Sequence, residues 1–271
     1  MKKAQKIKAL KDYFEKKNSV ILAFLFGSQS KNLARKISDY DIAVLIKENG
    51  KKNKILSKIW AELVDILNSE VDLISLKDAP PILASRILRE GIPLKIKDKK
   101  IFLDYLIKTI DDAEYFLNFS KDYYQIYERS KSLSEIDKAR LRKIITFLES
   151  GIEEFESFKK MSFREYSEDI FKRRNVERWI ENLMNSVLDI CKIVLASKRK
   201  PLPDTYRKIF LETSSILGFG KKFRERFSDW VLLRNIIAHE YLEILWDRIQ
   251  DFLKNAKPYL EKFLKKVKKL V

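Results

Sequence analysis

A single cysteine occurs in 271 residues, so neither a disulfide framework nor a thiolate metal cage can organise this chain. Cys191 falls inside the helical pattern Leu188-Asp189-Ile190-Cys191, where a buried structural thiol is expected. Histidine is as scarce, with His239 alone. Glycine and proline number six each, and together with 35% charged residues this scarcity fits a surface of the thermophile kind. No apolar run is long enough to span a bilayer, the longest being Val20–Phe26. The opening Met1-Lys2-Lys3-Ala4-Gln5-Lys6-Ile7 reads as a basic amphipathic helix with no secretory cleavage pattern, so the expectation is a soluble cytoplasmic protein without membrane contact. What is abundant is apolar content, at 45%, and positive charge: 56 Lys and Arg give a net +17 and a field that draws polyanions, nucleic acid first among them.

The composition changes character near residue 98, which predicts two domains. Residues 3–16 place Ile7, Leu10 and Phe14 on one helical face, and Val20–Phe26 then reads as a fully buried strand. Tyr40–Ile46 repeats that pattern, 70–75 forms a shorter strand, and Ile55, Ile59 and Leu63 mark a covering helix over 54–67. Pro80-Pro81 opens a helix that Gly91 stops, and Ile92–Ile96 closes the domain as an edge strand. Beyond residue 98 the pattern is helical: 103–127, 136–158, Ile170–Ser197, 206–217, 223–239 and 246–270, the last with a kink at Pro258. The fold class expected is therefore an α+β domain with a short mixed sheet over 1–98, a connecting helix over 99–135 and an all-α bundle over 136–271.

Chemistry concentrates in two places. In the first, Gly27-Ser28 ends a buried strand and Asp39-Tyr40-Asp41 begins the next. Alternate strand residues share a face, so Asp39 and Asp41 point together and repel unless a cation neutralises them. Mg²⁺ suits oxygen ligands of that kind and accepts triphosphate oxygens beside one or two carboxylates. Gly27 lets backbone approach a phosphate, and Ser28 with the following N–H groups can cradle the β and γ phosphates. Asp72, on the neighbouring strand, supplies a third carboxylate for metal or for deprotonating an acceptor. A Gly-Ser pair alone would be only a turn; the three acids shift the balance to a site. These residues resemble the signature of the polymerase-β-like nucleotidyltransferases, in the minimal nucleotidyltransferase (MNT) branch, over 1–98. The resemblance implies that Asp39 and Asp41 bind Mg²⁺ or Mn²⁺, that Asp72 completes the site, and that Gly27 and Ser28 hold ATP or another nucleoside triphosphate.

The second place is Arg234-Asn235-Ile236-Ile237-Ala238-His239-Glu240-Tyr241. On a continuous helix Arg234 and Tyr241 share one stripe, with Asn235 and His239 on the next. An imidazole that exchanges protons near neutral pH and a guanidinium that holds a phosphate suit metal-free RNA cleavage, with Asn235 in support. The Arg-x4-His-x-Tyr spacing resembles the motif of HEPN toxins, a likeness extending over 138–271 and including Arg174-Asn175-Val176-Glu177-Arg178-Trp179 and Tyr206-Arg207-Lys208-Ile209-Phe210. It implies RNA as a partner, a homodimer through the helical domain, and catalytic Arg234 and His239. Trp179, Trp230 and Trp246 fall on apolar stripes and are expected in the core, and the lysine-rich end of the chain on a solvated face.

In families resembling each half, MNT proteins adenylylate a tyrosine of a HEPN toxin. The reading is thus a single-chain toxin–antitoxin-like protein in which Tyr241 is the modified residue. Two alternatives stand beside it: an aminoglycoside-type nucleotidyltransferase whose helical part only dimerises, and a binding module without catalysis.

Overall fold

The computed structural model describes residues 3–29, 39–47, 52–129, 132–236 and 242–271. The chain divides into two compact units, Met1–Phe116 and Leu117–Val271. In the first, four strands β1 (Val20–Phe26), β2 (Tyr40–Ile46), β3 (Val71–Ser75) and β4 (Ile92–Ile96) form one sheet in the order β3-β2-β1-β4. β1 is antiparallel to β2 and β4, whereas β2 and β3 run parallel, joined by helix α2 (Lys52–Leu67) as a parallel pair requires. The mixed sheet expected from the sequence is present, with Ile92–Ile96 at an edge.

Both faces of the sheet are covered. On one, Leu10 and Phe14 of α1 (Lys3–Glu15) and Ile59, Leu63 and Leu67 of α2 pack on Leu25, Ile42 and Val44. On the other, Ile87 and Leu88 of α3 (Pro81–Glu90) and Tyr105 of α4 (Lys99–Arg129) pack on Phe24, Ala43 and Leu45. The continuously apolar run of β1, and of β2 beyond Asp41, follows from this double burial, since neither run has a wet face. Lys95 of β4 is an exception with a local reason: it is buried, and its ammonium donates to the carbonyls of Phe14 and Lys17 at 2.9 and 2.8 Å, around the end of α1.

The second unit is helical: α5 (Glu135–Glu153), α6 (Phe155–Phe158), α7 (Phe163–Glu168), α8 (Ile170–Ser197), α9 (Tyr206–Ile216), α10 (Lys221–Val231), α11 (Leu233–Ile236), α12 (Leu242–Asn255) and α13 (Lys257–Val267). α8 is its axis, apolar on nearly every side beyond Trp179, and buried accordingly. Asp169 caps it, accepting from the N–H groups of Phe171 and Lys172 at 2.9 and 3.0 Å. Trp179, Trp230 and Trp246 are all buried, as their stripes predicted, and so is Cys191, whose thiol burial pushes up to about 12. The second half of α4 is tied in by Asp122, which accepts two bonds from Arg140 at 2.9 and 2.7 Å and pairs with buried Lys192 at 2.6 Å.

Four helical expectations need correction. The segment over 136–158 is broken at Glu154, which lets Phe155 turn inward against Trp179, ring centroids 4.7 Å apart. α7 was not anticipated, although Ser162 and Glu165 form a full capping box. The helix over 223–239 is interrupted at Leu232. At Pro258 the final helix does not bend but restarts: α12 ends at Asn255 and α13 begins at Lys257, because proline brings no N–H and is tolerated in a first turn. Among the described residues, no helix is long and apolar enough to cross a membrane.

Candidate functional site

The N-terminal candidate is built by strand register. Asp41 stands opposite Phe26, the last residue of β1, and opposite Asp72 across the parallel β2–β3 pair. Alternation places Asp39 and Asp41 on the face of Ala43 and Leu45, and Asp72 on the face of Ile74, so all three carboxylates belong to the side covered by α3 and α4. Asp39 and Asp72 are exposed and Asp41 is half-buried. Burial, then the charges of Asp72 and Asp39, raise the Asp41 carboxyl above the usual carboxylate range. That electrostatic conflict is what a hard cation relieves, and the donors present are the oxygens such a cation takes. Among the described residues, no three acids close into a ready-made metal cage. Magnesium sites commonly leave that role to waters and substrate phosphates.

Gly27 follows β1 with φ +70°, a left-handed conformation that glycine adopts without penalty. A Cβ there would stand 2.0 Å from Oδ2 of Asp41, so the absent side chain is what lets the turn lie against the carboxylate. Ser28 and Gln29 continue that turn, and Gln29 is buried. Residues 30–38, Lys31-Asn32-Leu33 among them, lie outside the described residues.

At the C-terminal candidate, Arg234 sits in the short α11. Its Nε donates to Oδ1 of Asn185 on α8 at 2.7 Å, and its guanidinium lies 4.9 Å over the ring of Tyr206 at the start of α9. An amide and an aromatic face thus fix its plane. His239 and Tyr241 lie outside the described residues, as does the side chain of Asn235. The structure therefore brings Asp39, Asp41, Asp72 and Gly27 to one sheet end, and places Arg234 against α8. Sequence reasoning passed over Asn185 as a site residue and took Tyr206 only as part of a helix; their link to Arg234 spans 49 residues in the case of Asn185. The only local signal for Asn185 is an amide between the buried Met184 and Ser186 of α8.

A small mixed sheet with three acids at one end and a glycine turn pressed on the central one defines a nucleotidyltransferase-type domain. Comparison agrees: the model of the polymerase β nucleotidyltransferase family matches residues 8–100, and that of the HepT-like ribonucleases matches residues 148–267. A Methanocaldococcus jannaschii protein, provisionally named a protein adenylyltransferase, is 37% identical over 28% of this chain and 81% of its own length. The protein adenylyltransferase MntA of Shewanella oneidensis is 34% identical over 38% of this chain and 71% of its own length. The chain belongs to the minimal nucleotidyltransferase family, with a HepT-like, HEPN-type domain joined to it in the same polypeptide. A solved toxin–antitoxin structure with AMP-PNP shares 26% identity over 46% of this chain and 97% of its own chain, with a TM-score of 0.38.

Proposed function

We propose that this chain is a self-regulating toxin–antitoxin polypeptide, cytoplasmic and dimeric through its helical domain. The N-terminal domain, 1–98, transfers AMP from ATP to Tyr241 and so restrains a metal-independent ribonuclease in 136–271, with 99–135 as the connection. The observation that carries the reading is the pairing, in one chain, of the Asp39, Asp41 and Asp72 sheet end with a HepT-like domain bearing Arg234-x4-His239-x-Tyr241. The relatives' names, protein adenylyltransferases, favour a protein acceptor over the aminoglycoside-type alternative.

In this reading Asp39 and Asp41, with Asp72, hold Mg²⁺ or Mn²⁺, which when bound neutralises triphosphate charge. The Gly27-Ser28 turn receives the phosphates. A phenol, with a pKa of ~10, is a weak nucleophile until its proton is removed, and Asp72 is the base that takes it in this reading. The Tyr241 oxygen then forms a bond to the α phosphorus while the bond to the bridging oxygen breaks and pyrophosphate leaves. In the ribonuclease, His239 moves protons, Arg234 holds the scissile phosphate and Asn235 supports them. An adenylate two residues from His239 puts an anionic phosphodiester and a nucleoside where RNA must sit.

Incubation of the purified chain with α-labelled ATP and Mg²⁺ tests the transfer. Label should remain on the protein and disappear with chelator. Label appearing only on an added small-molecule acceptor would sink the reading in favour of a drug-modifying enzyme.

A further inference from the structure

Between α5 and α8 lies a groove of about 410 Å³ that neither candidate site uses, a volume within the range of ligand pockets. Its floor is fixed. A Cβ on Gly151 would stand 2.7 Å from Cδ2 of Leu183, so glycine leaves room for that side chain, and Trp179 donates to the Gly151 carbonyl at 2.8 Å. The walls are chemically mixed: Phe147 from α5 faces Asn175, Arg178 and Asn182 of α8, with Glu154 towards one end.

The α8 wall belongs to a longer seam. Phe171, Asn175, Arg178, Asn182 and Asn185 follow one another at helical spacings of four, three, four and three, and so lie along one side of α8. At its end Asn185 accepts the bond from Arg234. The seam therefore leads from the guanidinium of the ribonuclease candidate into the groove, over about 10 Å from Asn185 to Arg178 at 1.5 Å per residue. At the far end Phe171 is 74% exposed, and across the groove Phe147 is 55% exposed. Among the described residues, neither Asn175 nor Asn182 commits its side-chain amide to another group. Arg178 pairs with Glu181 at the surface, an attachment of small worth that a ligand can displace.

Exposed aromatic faces, uncommitted amides and a guanidinium are the groups that hold a single-stranded nucleic acid: rings stack on bases, amides meet base edges and ribose hydroxyls, and the cation takes a phosphate. A duplex hides its base faces and would leave the rings idle. A second copy of the chain is a poorer occupant, because interface cores are depleted of charge and this seam is polar at its centre. We propose that the α5–α8 groove, with the seam from Phe171 to Asn185, binds a single-stranded stretch of RNA flanking the phosphate held by Arg234. The choice of RNA over DNA rests on the ribonuclease reading. Glu154 repels phosphate from its end of the groove, so the backbone runs along the Arg178 side.

The test uses the full chain carrying His239→Ala, to keep RNA intact, and a short fluorescent single-stranded RNA followed by anisotropy at several salt concentrations. Arg178→Ala should weaken binding by about five- to tenfold and lower the slope of log affinity against log salt by about one. Phe171→Ala should weaken it by about tenfold with the slope unchanged, as loss of a stacking platform does. An RNA duplex should compete poorly, and Arg178→Ala should leave adenylyl transfer intact. No binding by the parent, or affinity and slope unmoved in both variants, overturns the proposal, as does a change confined to oligomeric state; equal affinity for single-stranded DNA overturns the assignment to RNA. Failure of the ribonuclease reading is separately visible. There, cleavage by the otherwise native chain would not depend on His239, while Arg178 and Phe171 would still govern binding.

Discussion

In the N-terminal unit the candidate side chains ride on strands, and their mutual placement follows from register: Asp41 is fixed between Phe26 and Asp72 by ladder hydrogen bonds on both sides. Arg234 in the C-terminal unit rides on a four-residue helix behind a break, and is aimed by two side chains from other helices, Asn185 and Tyr206. The contrast is between a site placed by backbone and one placed by side-chain contacts. The first should be vulnerable to changes in its own carboxylates and in the turn against them. The second should also be vulnerable at the residues that aim Arg234.

The largest effect expected is a crossover between the two activities. Asp41→Ala, or a chelator, should cut adenylyl transfer by about a thousandfold or more while RNA cleavage persists. Arg234→Ala or His239→Ala should lower cleavage by about a hundred- to ten-thousandfold and leave transfer unchanged. Cleavage that stops with chelator, or full transfer by Asp41→Ala, breaks the separation.

Next comes Gly27→Ala. Its Cβ would meet Asp41 Oδ2 at 2.0 Å, whereas the equally left-handed Gly218 has only the tip of Lys266 at 3.7 Å. Both substitutions carry a backbone cost of about 1 kcal/mol or more. Only Gly27→Ala should also reduce transfer, by about a hundredfold. Equal effects on transfer and melting temperature for the two glycines would show that the contact with Asp41 is immaterial.

A smaller loss, about tenfold in cleavage, is expected for Asn185→Ala, since Arg234 Nε loses its acceptor and the guanidinium its aim. A positioning role predicts that kcat falls more than KM rises, and that Asn185→Asp, which still accepts, restores most of the rate. Loss of the same size in Asn185→Asp would point to packing instead.

The smallest effect concerns stability. The Arg140 hydrogen bonds, with Lys192, hold the Asp122 carboxyl down at about 2. A folded value depressed below the ordinary ~3.9 contributes stability that is full above that value and lost as pH falls towards 2. Asp122→Asn should cost about 1–2 kcal/mol at pH 7, with the difference from the parent closing between roughly pH 4 and 2. A difference that stays constant through that window removes the charge from the account.

Much of this arrangement was legible in the sequence. The apolar runs of β1 and β2 and the parity of Asp39 and Asp41 are local, and a strand converts parity directly into a face, whereas the face of Asp72 depends on the register of β3 against β2. The contact of Gly27 with Asp41 was not, because it depends on which residues of two strands stand opposite one another. Nor was the tie from Arg234 to Asn185, which links two helices far apart in the chain. The break at Leu232 carries no glycine or proline to announce it, and Pro258 announced a bend where the chain instead restarts a helix at Lys257. α7 was legible and passed over: Ser162-Phe163-Arg164-Glu165 spells a capping box.

The central claim, that one half of this chain restrains the other through Tyr241, is tested most directly by locating AMP. Peptide mass spectrometry after incubation with ATP and Mg²⁺ should find the adenylate on the tyrosine following His239-Glu240, and the modified protein should cleave RNA more slowly. Mixing an Asp41→Ala chain with a Tyr241→Phe chain should label the former where AMP passes between the protomers of a dimer. AMP on other tyrosines only, or undiminished cleavage by fully modified protein, would contradict the account.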